Sequence, residues 1–339
     1  MRRALLLCLA LLLTACGQDG GKDPFIESRL PPSISPRFYP PEGWAWGLVQ
    51  AGDYPPQRYG VSAPATAPRA HLLILPGYGE SAEAWFETAA DFNRDGFDVW
   101  VLEGAGQGGS GRFTLPRDVG HIPDLEPDLL AIKAMVRVVI PDDGRAVVVL
   151  GQQSGAVLAV LAAQRGWTAD GLILSSPPPA AQSEAFDEPL SRIGLGWLRD
   201  PREPGWNREG AFRTGPPGRE VYRRAVEQAW QQANPDLRMA GPSVGRRALM
   251  AKAQGWAANA LRGLPGPILT LGGAPVWKDA CAKAPACIAQ PPSTGAVGPY
   301  SHLESDGPRG AWLTAVDGFL RSRQAERLSR QGLSPGHAE

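Results

Sequence analysis

Five short runs rich in leucine and β-branched residues punctuate the chain: Leu72–Leu75, Phe97–Leu102, Ala146–Leu150, Leu172–Leu174 and Ile268–Leu271. Continuous rather than alternating apolar character predicts strands buried on both faces. Between the first four lie stretches of helical periodicity, Ser81–Arg94, Asp124–Val139 and Ser154–Arg165. Strand, helix, strand at this spacing predicts an α/β fold, a mostly parallel sheet with helices on both faces. A last helix is predicted over Ala311–Arg321, with Trp312, Leu313, Val316, Phe319 and Leu320 on one stripe. From Ser176 to Gly266 the strand rhythm stops. Inside that gap, Glu220–Ala233 places Val221, Tyr222, Ala225, Val226, Ala229 and Trp230 on one side, a stripe suited to core packing. An insertion of this size between two strands reads as a cap over a pocket.

The first residues alter the picture. Met1-Arg2-Arg3, an apolar run from Ala4 to Leu13, then Thr14-Ala15-Cys16 is the layout of an export signal. Ten apolar residues as a helix reach roughly 15 Å, about half a bilayer core, too short for an ordinary span. Leu13-Thr14-Ala15-Cys16 resembles a bacterial lipobox, which implies acylation of Cys16. The alternative is a plain signal peptide that happens to contain a cysteine. The expected mature protein begins at Cys16 with a tether to residue 44 and is moored to the membrane on the extracytoplasmic side of a bacterial envelope.

Composition narrows the classes. Of 339 residues, 34 are Lys or Arg and 34 Asp or Glu, so there is no basic surplus to neutralise phosphates, and nucleic acid is not an expected partner. Beyond Cys8 and Cys16 the only cysteines are Cys281 and Cys287. In an oxidising compartment this local pair is expected to form a disulfide. Neither His71 nor His121 has ligand-like spacing to the pair, so no metal site is expected.

Five segments carry a resemblance to a known family. His71 to Ser81 (HLLILPGYGES) resembles the strand and oxyanion turn of α/β-hydrolases. Gly104-Ala105-Gly106-Gln107-Gly108-Gly109-Ser110-Gly111 resembles their DxRGHGxSxG loop, with Glu103 and Gln107 in place of Asp and His. It matches that loop better than a dinucleotide fingerprint, so no cofactor is expected. Val147–Leu150 running into Gly151-Gln152-Gln153-Ser154-Gly155-Ala156 resembles the strand entering the nucleophile elbow. Gly171–Pro177 and Asn234–Ser243 are similar to the lysophospholipase and monoacylglycerol lipase branch, the serine aminopeptidase-like hydrolases. The resemblance implies an α/β-hydrolase core over residues 45–175 and 267–322, a cap over 176–266, and a polar tail over 323–339.

The family's chemistry needs a serine on a sharp turn, a histidine to take its proton, and a carboxylate to orient the histidine. Aligned on Gly151 and Gly155, the nucleophile position holds Gln153, whose amide is no useful nucleophile. The acid position after Ile268–Leu271 holds Val276; Asp279, three residues on, is the substitute candidate. His302, in Tyr300-Ser301-His302-Leu303-Glu304, matches the family's histidine. A shifted register makes Ser154 the nucleophile but puts Gln152 and Ala156 where the family has glycine. In the unshifted register the N–H groups of Tyr78 and Ser154 are the oxyanion donors. His71 and His121 read as structural, and His337 lies in the tail. Three functions follow as expectations: a disarmed hydrolase that binds an acyl or other apolar ligand; an active carboxylic ester hydrolase using Ser154, His302 and Asp279; or an envelope scaffold.

Overall fold

A computed structural model describes residues 21–167, 169–179, 185–202, 204–207, 220–290 and 301–332. The export signal, Cys16 and His337 lie outside them. Eight strands form one sheet: β1 (Ala45–Val49), β2 (Gln57–Ser62), β3 (Ala70–Leu75), β4 (Phe97–Leu102), β5 (Ala146–Gln152), β6 (Gly171–Ser175), β7 (Ile268–Leu271) and β8 (Cys287–Gln290). The spatial order is β1-β2-β4-β3-β5-β6-β7-β8. β2 runs antiparallel to both β1 and β4, and every pairing from β4 through β3 to β8 is parallel. All six residues of β3 are buried, as a strand covered on both faces requires.

The helices divide between the two faces. α1 (Phe86–Arg94) and the terminal α8 (Asp306–Arg330) cover one, where Trp85, Phe92, Trp312, Val316 and Phe319 meet Leu72, Ile74 and Val99. α2 (Glu126–Ala134), α3 (Ser154–Gln164), α6 (Val244–Leu261) and α7 (Pro275–Cys281) cover the other, where Leu129, Val157, Ala257 and Trp277 meet Leu73 and Leu75. Between β6 and α6 run α4 (Asp187–Arg192) and α5 (Val221–Ala233). Arg247 of α6 clamps α4 by donating from both ends of its guanidinium to Asp187, and it also pairs with Asp200. The carboxylates of Asp187 and Asp200 are buried and need cations beside them, and Asp200 takes a second from Arg202 at 2.8 Å.

Several expected boundaries change. α6 lies in the sequence gap read as cap, yet Ala253, Ala257 and Leu261 belong to the main core. The parallel step from β6 to β7 needs a helix packed on the sheet, and α6 is that helix. In α5, Val226 and Trp230 are buried against Ile34, Phe38 and Phe86, but Val221 and Tyr222 are exposed. Glu220 caps this helix, accepting from the N–H groups of Tyr222 and Arg223. The described part of the tether, from residue 21 to 44, is not free. Phe25 N–H donates to Gly109 O (2.7 Å), Lys22 O accepts from Arg112 N–H (2.7 Å), and Ile34 and Phe38 are buried. The first part of the polar tail is helical, since α8 continues to Arg330 and Arg327 there pairs with Asp170 at 2.8 Å. Cys281 and Cys287 form a disulfide that joins the end of α7 to the edge strand β8. No described helix is long and apolar enough to cross a membrane.

Candidate active site

β3 and β5 are neighbours in register, with Leu75 opposite Gly151, and Gln152 opposite Ser175 of β6. The carboxyl ends of these strands therefore deliver three segments to one place. Between β5 and α3 only one residue intervenes, Gln153, at φ 48° and ψ −112°. Its N–H donates to Ser175 O and its carbonyl accepts from Ala156 N–H, both at 3.0 Å, which fixes the bend from each side. A side chain at positive φ costs about 1–3 kcal/mol and persists only where the surroundings over-determine it. The flanking glycines show that they do. A Cβ on Gly155 would lie 2.0 Å from Leu75 O, and one on Gly151 would lie 2.5 Å from the Ala156 backbone. Ser154 is already the first residue of α3. The apex of the elbow is Gln153.

The turn after β3 lies alongside. Glu80 reaches back so that its carboxylate accepts from Gly77 N–H at 3.0 Å. Gln107, from the glycine-rich loop, accepts from Gly79 N–H at 3.0 Å, so this glutamine braces the turn from the far side. A Cβ on Gly77 would come within 3.4 Å of both the Gln153 side-chain carbonyl and the Glu80 carboxyl, so these two groups border the same small space. The N–H groups of Tyr78 and Ser154 sit on the two segments that meet here, the second at the positive end of α3. The Tyr78 hydroxyl donates to Ala240 O at 2.9 Å and so ties the turn to the segment entering α6. Burial, partly offset by the Arg246 cation, pushes that phenol up to about 12.

Glu103 holds the glycine-rich loop in shape. Its carboxylate accepts from Arg58 (2.6 and 2.9 Å) and from the N–H groups of Ala82 (2.7 Å) and Gly109 (2.6 Å). A second carboxylate, Glu83, accepts from the Arg58 Nη2 that also serves Glu103, at 2.9 Å, and all three side chains are buried.

His302 lies in the short turn Ser301–Leu303 before α8, its side chain fully buried. The imidazole stacks on Trp85 with ring centres 3.7 Å apart and planes 11° from parallel. Arg309 donates to the His302 carbonyl at 3.0 Å. Trp312, tilted against the ring, donates its indole N–H to Ser175 Oγ at 3.0 Å. The carboxylate beside His302 is Glu80, with Oε2 at 3.9 Å from Nε2. Val276, at the acid position, is the second residue of α7 and packs half-buried against the core. Asp279 stands on the exposed side of α7 next to Lys278, so the structure brings Glu80, not Asp279, to the buried imidazole. Sequence reasoning passed over Glu80 as a partner for His302, although it ends the quoted Gly77-Tyr78-Gly79-Glu80 turn. Its contact with a residue more than 200 positions away is a product of folding. Among the described residues no group of three or more His, Cys, Asp or Glu is placed to hold a metal ion.

The serine aminopeptidase S33 family model matches residues 66–274, more than half of the chain. That span includes the turn after β3 and the elbow, and it stops short of Val276 and His302. No curated protein sequence matches. Among solved structures, a monoglyceride lipase from Saccharomyces cerevisiae superposes with a TM-score of 0.60 at 15% identity, over 87% of this chain and 99% of that one. A carboxyl esterase from Bacillus coagulans gives 0.59 at 15% identity, over 83% and 99%. A monoacylglycerol lipase from Paleococcus ferrophilus gives 0.57 at 16% identity, over 79% and 99%. At such identities the likeness is one of fold, and it agrees with the strand order, the elbow and the turn. The chain belongs to the serine aminopeptidase S33 family of α/β-hydrolases.

Proposed function

We propose that this protein is a lipid-anchored envelope member of the family that has lost Ser-His-Asp ester hydrolysis and instead binds an acyl or other apolar ligand under its cap. The observation carrying this reading is the backbone of Gln153: the one left-handed residue between β5 and α3 bears an amide, not a hydroxyl. An amide has no proton that histidine can remove near neutral pH and no lone pair nucleophilic enough to attack an ester. A move of the apex to Ser154 would place Gln152 and Ala156 in the flanking positions, where backbone lies within 2.5 Å of any Cβ. The acid position supports the same reading, because Val276 cannot orient an imidazole. The carboxylate beside His302, Glu80, comes from the turn after β3 and not from the acid position, with Oε2 3.9 Å from Nε2 and accepting from Gly77 N–H. The acyl class of ligand follows from the lipase-type motifs, and the anchor from Leu13-Thr14-Ala15-Cys16.

Two measurements on the mature protein test this. Incubation with a fluorophosphonate probe and with p-nitrophenyl butyrate is expected to give neither labelling nor turnover. Stoichiometric labelling of Ser154, or turnover that disappears in Ser154→Ala, would overturn the reading. Metabolic labelling with palmitate is expected in cells making the full chain and is expected to vanish in Cys16→Ser; label that persists in the variant removes the anchor.

A further inference from the structure

Away from the elbow, the loop at residues 121–123, the turn following α4 and the first half of α6 enclose a cleft of about 530 Å³. None of Gln153, Tyr78, Glu80 or His302 lines it. Part of its wall is bare backbone: Gly245 N–H donates to Gly196 O at 2.8 Å, and a Cβ on Gly245 would come as close to that same oxygen. Apolar surface comes from Ile122, Leu249 and two indoles, Trp197 and Trp256, which stay 45% and 53% exposed. A second hollow of about 660 Å³ shares Leu249 and Trp256 with the first, so apolar surface continues past one cleft into the next. Concave, mainly apolar walls with a few polar groups are what small-molecule sites have in common.

The polar groups are specific. His121 Nδ1 lies 2.8 Å from Ser243 Oγ, and that oxygen already accepts from Arg246 N–H at 3.1 Å. Burial and the Arg246 cation press the imidazole down to about 4, so near neutral pH it is an uncharged polar group. Arg192 and Lys252 also line the cleft, and both lean on one carboxylate, Glu188. Two cations against one anion leave the cleft positive.

We propose that this cleft is a second ligand site, which takes a monoanionic amphiphile: a carboxylate head met by Lys252, Arg192 and His121, and a flat apolar body against Trp197 and Trp256. Indole faces favour flat rings through stacking, and a cleft with a net positive charge selects an anion over its neutral counterpart. The site is independent of whether the elbow is disarmed.

Calorimetric titration of 2-naphthoate into the mature protein tests it, with 2-naphthol as the uncharged counterpart. Saturable one-to-one binding is expected. It should weaken about tenfold or more in Lys252→Glu and in Trp256→Ala, and by a similar factor for 2-naphthol. Both substituted side chains are about half exposed, so the fold should tolerate the changes. No saturable binding at millimolar 2-naphthoate would overturn the proposal, as would binding that survives both variants. Binding abolished by Gln153→Trp but not by Trp256→Ala would place the ligand at the elbow and overturn it too. Fluorophosphonate labelling of the same preparations reads the elbow separately, so the two readings fail independently.

Discussion

Gln153 holds a conformation that an L side chain rarely adopts, and it does so without a serine's catalytic role to explain it. The strain is imposed by neighbours: Gly155 is pressed on Leu75 O and Gly151 on the start of α3. Gln153→Gly should relieve about 1–3 kcal/mol of strain against about 0.5–1 kcal/mol lost to the freer unfolded chain. A net gain of about 1 kcal/mol in urea-unfolding free energy is the expected outcome; a loss would mean that the glutamine side chain itself holds the turn together. That Gln153 stands where the family has serine was legible from the spacing Gly151-Gln152-Gln153-Ser154-Gly155. That its carbonyl lies beside Gly77 was not, because side-chain direction depends on how β3 and β5 pair.

At the scale of elements, the strands and helices with strong apolar periodicity were legible and the others were not. β1 and β2 escaped because each is interrupted by a glycine, and β2 carries the buried Arg58. Those glycines make room for aromatic rings, Gly47 for Tyr59 and Gly60 for Trp44. α6 escaped because much of its buried face is alanine, Ala253 and Ala257 beside Leu261, a pattern that gives little hydrophobic contrast. Arg58 shows how elements are joined by charge. It links β2 to the glycine-rich loop through Glu103, to the turn at residues 82–85 through Glu83, and to the N-terminal segment through Ile26 O. Arg58→Met should destabilise the protein by about 3–5 kcal/mol, because it leaves two buried carboxylates without their cation. Equilibrium unfolding in urea measures this, and a change below about 1 kcal/mol would show that the carboxylates find other partners.

For the whole molecule, the end of the sheet opposite the site contains a titrating contact. His71 of β3 lies between Asp98 of β4 (3.1 Å) and Asp143 before β5 (3.2 Å). Burial works against the charged ring, but the hydrogen bonds to Asp98 and Asp143 outweigh it and raise the imidazole above its ordinary value of 6.5. A raised folded-state value means that the contribution is complete below the unfolded value and fades as pH climbs through the folded one. The difference in unfolding free energy between the parent and His71→Gln should therefore be largest below about pH 6.5 and shrink above it. A difference that grows with pH would contradict the charged bridge.

The layered α/β architecture, the family, the elbow's amide and the cysteine pair are legible in the chain's residue order, because each is written in local spacing or in a short continuous pattern. Folding in three dimensions adds that Glu80 is the carboxylate beside His302, that Asp279 faces solvent, that α6 belongs to the core, and that the chain from residue 21 to 44 lies against the body. Those outcomes depend on which distant segments share a surface, and long-range pairing of strands and helices sets that.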